Sequence, residues 1–421
     1  MSSFPPAFGN ASRSRALVAL RHRNFRLYVP GQALSMIGSA IMSLALPWAA
    51  YASAHAVLAV GITLAAQYAP MIGGGAFAER FFLRLVPRRR LLVGSQTLCC
   101  FIATALATIA WFGATSIWAL VLLSALWGVT RACENPARQR FLVDMVGRRD
   151  LTHAVSLTAS AWNGATVVGA ALAGVLLTLV GQWAAFAAVG AGMLGGAIGL
   201  AFLDDLPGVV QLSRSAGRAG SRWQALSVPS TQALIALGCA ASALGMNRLT
   251  VMPVLATEVL GSGALGFGLS MAALGLGAAV GTALLLWQAS AVLERSHLWF
   301  GVGWAITLAL FGWSRWTAVT ALLLGCGGVL QTWFLATVSH RLQRLVPDPK
   351  RGPLLMSYAR WVMLTTAFGP LQAGLLGWAI GVPLTVSVDA FAVAAVAIVV
   401  GVGWSREVAA PTDQTSSSAA P

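Results

Sequence analysis

Apolar stretches of about twenty residues follow one another along nearly the whole of this 421-residue chain. Twelve are read, at roughly 30–51, 57–78, 91–112, 117–136, 154–179, 183–203, 232–257, 264–287, 297–314, 318–338, 357–380 and 384–404. Each is long enough as a helix to cross ~30 Å of hydrocarbon. Inside lipid every backbone N–H and C=O must be satisfied by the chain itself, and helices do that segment by segment. The expected fold class is therefore an all-α polytopic membrane protein with twelve transmembrane helices. Composition agrees: 9% of residues are charged, 57% are hydrophobic and mean hydropathy is +0.77, whereas a soluble domain carries about 25% charged residues. The 45 glycines permit close helix packing, and the 16 tryptophans suit the bilayer interface. The segment 1–27 is basic and leads into a full-length span without a small-residue cleavage site, as a signal anchor does.

The 27 basic residues against 12 acidic ones give a net charge of +15. They fall in loop clusters: Arg13, Arg15, Arg21, Arg23 and Arg26 before the first stretch, Arg80, Arg84 and Arg88 to Arg90 after the second, and Arg138, Arg140, Arg148 and Arg149 after the fourth. Arg214, Arg218 and Arg222 follow the sixth stretch, and Arg341, Arg344, Lys350 and Arg351 follow the tenth. The alternate loops hold only Arg315. By the positive-inside rule both termini are cytoplasmic, and the basic surface faces anionic lipid, with no nucleic acid expected. Lys350 is the only lysine and is followed by Arg351, so a phosphate-cradling G-x-x-x-x-G-K-[ST] loop is absent and no nucleotide is expected. Cys99, Cys100, Cys133, Cys239 and Cys326 lack metal-ligand spacing; no cofactor or metal is expected.

Two halves match at an offset near 206. Leu46-Pro47 corresponds to Met252-Pro253, Val60-Gly61-Ile62 to Phe267-Gly268-Leu269, and Leu64-Ala65-Ala66 to Met271-Ala272-Ala273; Gln139-Arg140 matches Gln343-Arg344. Such a parallel repeat implies a pseudo-two-fold axis along the membrane normal and a cavity between the halves. The expected organisation is a six-helix half over 28–204, a cytoplasmic linker over 205–230, a second six-helix half over 231–404 and a disordered cytoplasmic tail over 405–421.

Twelve spans in two parallel halves with a basic central loop resemble the major facilitator superfamily. Glu134-Asn135-Pro136-Ala137-Arg138-Gln139 and Val168-Gly169-Ala170-Ala171-Leu172-Ala173-Gly174 resemble its enterobactin-exporter and macrolide-efflux branch, as do Asn24-Phe25-Arg26 and the stretch Gln343 to Ser357. The chain departs from that pattern at Glu79, where the loop 2–3 motif has aspartate, at Ala170, where the branch has proline, and at Pro353, where it has arginine. The resemblance implies a monomeric secondary transporter in a bacterial inner membrane. It implies export of a small amphiphilic molecule (a drug, macrolide or siderophore) by alternating access with proton antiport, and it implies no enzyme. An importer with the same fold, a membrane-embedded enzyme and a non-transporting sensor are the alternatives. The enzyme lacks an acidic or metal-binding cluster at a membrane face.

Charged groups inside spans cost roughly 2.5–3.5 kcal/mol at a helix centre, so each calls for a role. Arg248, beside Asn247 in the seventh stretch, suits bidentate binding of a carboxylate or catecholate, or else an interhelical pair or snorkelling. Asp389 is a candidate for proton coupling or for a structural hydrogen bond, and Glu134 a second coupling candidate. Arg131 and Glu134, three apart on one helix face, read as a gating pair with Glu79, Arg80 or Arg138 nearby. Gln32, Ser35, Ser39 and Ser43 make one helical stripe, which lines a cavity or glues helices. Trp127, Trp162, Asn163, Gln331, Trp333 and Trp361 suit stacking and hydrogen bonding to a flat solute, whereas Trp48, Trp111, Trp118, Trp183, Trp313, Trp316 and Trp378 fall at span ends as belt residues. Gly190-Ala191-Gly192-Met193-Leu194-Gly195 fits a dinucleotide pattern but lies mid-span with no strand before it, which makes it close packing.

Overall fold

A computed structural model describes residues 21–81, 86–203, 229–245, 247–287, 297–344 and 348–409. Twelve helical segments follow in order: α1 (Arg23–Ala54), α2 (Val57–Phe81), α3 (Arg88–Trp111), α4 (Ile117–Gly147), α5 (His153–Leu179) and α6 (Gln182–Ala201), then α7 (Thr231–Val259), α8 (Gly263–Trp287), α9 (His297–Trp313), α10 (Thr317–Arg344), α11 (Asp348–Ile380) and α12 (Val382–Ala409). Among the described residues there is no strand, and nine helices are long and apolar enough to cross a membrane. α2 and α9 add shorter apolar stretches, Val57–Tyr68 and Trp299–Trp313. The chain is a multi-pass, all-helical membrane protein. The N-terminal segment up to residue 20, the expected linker through residue 228 and the tail from 410 lie outside the described residues, whereas 405–409 continue α12 as helix.

Two segments differ from the hydropathy reading. α4 does not stop near 136; it continues through Pro136 to Gly147, where φ 70° and ψ 174° turn the chain into α5. That backbone region is essentially reserved for glycine. The extension is an amphipathic helix that hydropathy alone misses. Ala137, Phe141, Met145 and Val146 recur at helical spacing and bury against Phe25, Tyr28 and Leu92, while Asp144 pairs with Arg88 of α3. α7 is not one helix: it runs Pro229–Leu244, resumes as Arg248–Val254 and ends in a π-helical turn, Leu255–Val259. Gly245 sits at the break against the Trp304 ring, which a Cβ would meet at 2.2 Å.

α1 to α6 pack with one another, as do α7 to α12, and α2–α11 and α5–α8 are the main contacts between the two groups. Inside the first group α6 lies on α1 through the glycines of the G-x-G-x-x-G run: a Cβ on Gly192 would meet the Leu34 carbonyl at 2.7 Å, and one on Gly195 the Leu34 side chain at 2.9 Å. With twelve helices running alternately up and down, α1 begins and α12 ends on the same side, here termed the terminal face. Near the opposite face a single buried cluster joins both groups, including Leu46, Leu64 and Phe186 from one and Met252, Phe267 and Phe311 from the other. Toward the terminal face the buried clusters separate. One lies wholly in α1 to α6, and two lie wholly in α7 to α12. Among the described residues the two groups share a core near one face and keep separate cores near the other.

Candidate functional site

The seal is built mostly from backbone. α2 crosses α11 at Gly61 and Gly374, and α5 crosses α8 at Gly174 and Gly268. A Cβ on Gly61 would lie 2.6 Å from the Pro370 carbonyl oxygen, and one on Gly268 would lie 2.5 Å from the Gly174 Cα. No side chain fits at either crossing without moving a helix. The Trp48 ring stacks on Phe267 with centroids 6.2 Å apart, and the Tyr51 hydroxyl donates to Glu258 Oε1 at 2.7 Å. Trp48 therefore joins α1 to α8 in the seal, a role the belt reading of its position does not give.

One helical turn toward the terminal face from those crossings lies a cavity of about 430 Å³ between the two groups. Leu64 of α2, Ala170 of α5, Met271 of α8 and Pro370 of α11 form its end; each is three or four residues from its sealing glycine, about 4.5–6 Å along a helix. Its walls are largely apolar, with polar groups from six helices, among them Ser43, Tyr68, Asn163, Asn247 with Arg248, Gln331 and Thr366. Trp162, 43% exposed, opens onto it. The volume falls in the range of ordinary small-molecule sites, and an apolar wall with a few fixed polar groups is what such sites share.

The break in α7 positions the cation. Arg248 donates to the Gly245 carbonyl freed by the break, at 2.7 Å, and to Gln331 Oε1 of α10, also at 2.7 Å. Irregular backbone at membrane depth is tolerated where protein groups satisfy it, and the guanidinium does so here. Beside it, Asn247 Nδ2 donates to Gln372 Oε1 at 2.9 Å and to Asp389 Oδ2 at 3.0 Å, and Gln372 Nε2 donates to Asp389 Oδ1 at 2.9 Å. Asp389 thus stands in an amide cradle behind the cavity wall, 3% exposed. It shares a small void with Arg248 without forming an ion pair.

Of the residues singled out in the sequence as substrate contacts, Arg248, Asn247, Asn163 and Gln331 come together on the cavity. Four others sit elsewhere. The Ser35 hydroxyl donates to Gln96 Oε1 at 2.9 Å inside the first group, and Ser39 bonds back to the Ser35 carbonyl. Trp127 is buried in the core, and the Trp333 indole donates to the Gly281 carbonyl at 2.9 Å, tying α10 to α8. Ser43, the last of the polar stripe, does reach the cavity. Glu134 is fully buried among α1, α3 and α4: it accepts from Arg131 at 2.6 Å, from Gln96 Nε2 at 2.9 Å and from Arg138. That cluster lies within one helix group rather than between the two. The side chains of Glu79 and Arg80 lie outside the described residues. Among the described residues no group of His, Cys, Asp or Glu side chains could hold a metal ion.

A paired bundle of this connectivity with a central cavity has known counterparts. The profile of the transmembrane secretion effector family matches residues 14–420. The chain belongs to that family. Its fold is that of the major facilitator superfamily of transporters. The structure is similar to that of the nucleoside transporter NupG, with TM-score 0.75 at 8% identity over 92% of this chain and 100% of that one. It is similar to a bacterial homolog of the human lysosomal transporter Spinster in an inward-facing, occupied conformation, with TM-score 0.68 at 13% identity over 95% and 99%. A D-xylose-proton symporter gives 0.66 at 15% identity over 93% and 96%. Identities this low carry the fold alone. A search among curated proteins finds no matching sequence. The secretion effector family and the fold make this chain a membrane transporter of a small molecule, not an enzyme.

Proposed function

We propose that this secretion effector protein exports a small amphiphilic molecule across a bacterial inner membrane by alternating access, as a monomer and in exchange for protons. The observation that carries the reading is the cavity between the two helix groups, sealed by glycine crossings toward one face and flanked by separate cores toward the other. Arg88 to Arg90 at the start of α3, Arg138 and Arg140 toward the end of α4 and Arg341 near the end of α10 stand toward the terminal face, and by the positive-inside rule we read that face as cytoplasmic. On that assignment the cavity opens to the cytoplasm, as an exporter awaiting cargo requires.

The moving bodies are the first six helices, over 28–204, and the last six, over 231–404, joined by the linker 205–230. Rocking them against each other moves access from one face to the other. The cargo lies against Trp162 and is held by Asn163, Asn247, Arg248 and Gln331. Asp389 and Glu134 are the carboxylates available to carry a proton, and Arg131, Arg138, Glu79 and Arg80 gate the cytoplasmic side. The resemblance to the enterobactin-exporter and macrolide-efflux branch supports the outward direction, as does the family's description as a secretion effector. The test is accumulation of a panel of dyes, macrolides and siderophores in an efflux-deficient host, with and without a protonophore. Export lowers accumulation, and the protonophore restores it. Raised accumulation of any compound would replace the proposal with uptake.

A further inference from the structure

The cavity holds one formal charge. Among its described lining residues there is no aspartate, glutamate, lysine or histidine, and the only ionic group is Arg248. That side chain is 8% exposed, and no carboxylate among the described residues lies within ion-pair distance of it. A guanidinium has five N–H donors. Two are used, on the Gly245 carbonyl and on Gln331, and Nε has no partner at all. An unpaired cation at membrane depth is costly and marks a functional position. Asp389 leaves those donors free. Its two oxygens are occupied by Asn247 and Gln372, and it faces Arg248 only across a small void behind the wall. Asp389 is thus engaged by the two amides and forms no salt bridge with Arg248.

From this we infer that the transported molecule is an anion: an amphiphile with one carboxylate or similar oxyanion, which Arg248 binds while its apolar body lies against Trp162, Leu64 and Met271. This inference rests on the cavity being the transport site. Planar oxyanions accept two parallel N–H donors from a guanidinium, a geometry that ammonium groups cannot supply. Cationic compounds, the usual cargo of sites lined by carboxylates, would meet an uncompensated positive charge here.

Three probes of one shape separate the outcomes: 2-naphthoate, 2-naphthamide and 2-naphthylmethylammonium, titrated into the purified full-length protein in nanodiscs and followed by quenching of tryptophan fluorescence. Naphthoate should bind at least about tenfold more tightly than the amide, and the ammonium weakest. Arg248→Gln should abolish the preference, bringing naphthoate down to the affinity of the amide, and Arg248→Lys should keep the sign of the preference at reduced size. Ala278→Trp, which fills the cavity, should weaken all three. Equal binding of the three probes, or a preference that survives Arg248→Gln, would overturn the anion inference and leave the cavity standing. Binding that Ala278→Trp does not weaken, or no binding of any probe, would overturn both.

Discussion

Glu134 and Arg248 are charged residues placed where hydropathy would not put them, and they are stabilised in different ways. Glu134 is fully buried and carries bonds from Arg131, Arg138 and Gln96; Arg248 has amide and carbonyl partners only. Removing one member of a buried ionic cluster leaves the others uncompensated, at a cost of about 3–5 kcal/mol. Glu134→Ala should therefore lose that much stability, read by SDS-titrated unfolding in mixed micelles. A variant as stable as the parent would show that Arg131 and Arg138 reach other partners. Both charged positions stand out in the sequence, because any ionisable residue in an apolar stretch does. Their partners are less legible. That Ser35 serves a packing network through Gln96 while Ser43 of the same stripe faces the cavity is decided by which helices flank α1, and spacing within one helix carries no record of that.

At the scale of elements, the number and order of the helices follow from span length, but two boundaries do not. α4 outruns its apolar stretch because its charged end is amphipathic, with ion pairs on one side and Phe141 and Met145 buried on the other. α7 breaks because Gly245 must lie against Trp304, a neighbour some sixty residues later in sequence. The glycine crossings are half-legible: the internal repeat aligns Gly61 with Gly268, and the structure places each against a glycine of the other helix group, Gly374 and Gly174. Pseudo-symmetric positions thus make pseudo-symmetric contacts. Gly61→Val and Gly268→Val should each force their helices apart and hold the face opposite the chain ends open. Cysteine pairs placed across that face should then cross-link less in the variants, and transport should fall at least about tenfold, since one closed state is lost. Equal cross-linking in variant and parent would show that the helices absorb the side chain by local shifts.

For the whole molecule, the seal and the cavity are two aspects of one arrangement, with one core shared at one face and separate cores at the other. The Tyr51–Glu258 hydrogen bond spans the two helix groups at the shared face, and any opening there must break it. Net hydrogen bonds to a charged group are worth about 1.5–3 kcal/mol, and exposure of Glu258 places this one at the low end. Tyr51→Phe should shift the resting population toward the state open at that face by roughly tenfold, which labelling of a cysteine at the cavity end by a membrane-impermeant reagent would read. Labelling that does not rise would assign closure to the glycine crossings and the Trp48–Phe267 stack alone.

Those crossings have a mechanical consequence. Two points fix a line, and Gly61/Gly374 with Gly174/Gly268 fix one running between the helix groups. Along it bare peptide rests on bare peptide, so there are no rotamers to unlock when one group rolls over the other. Friction at such an axle is low, and wear of another kind is high: the smallest addition, one methyl, jams it. These four positions therefore tolerate no drift, while the cavity wall an ångström-scale step away is free to be re-cut for a different cargo.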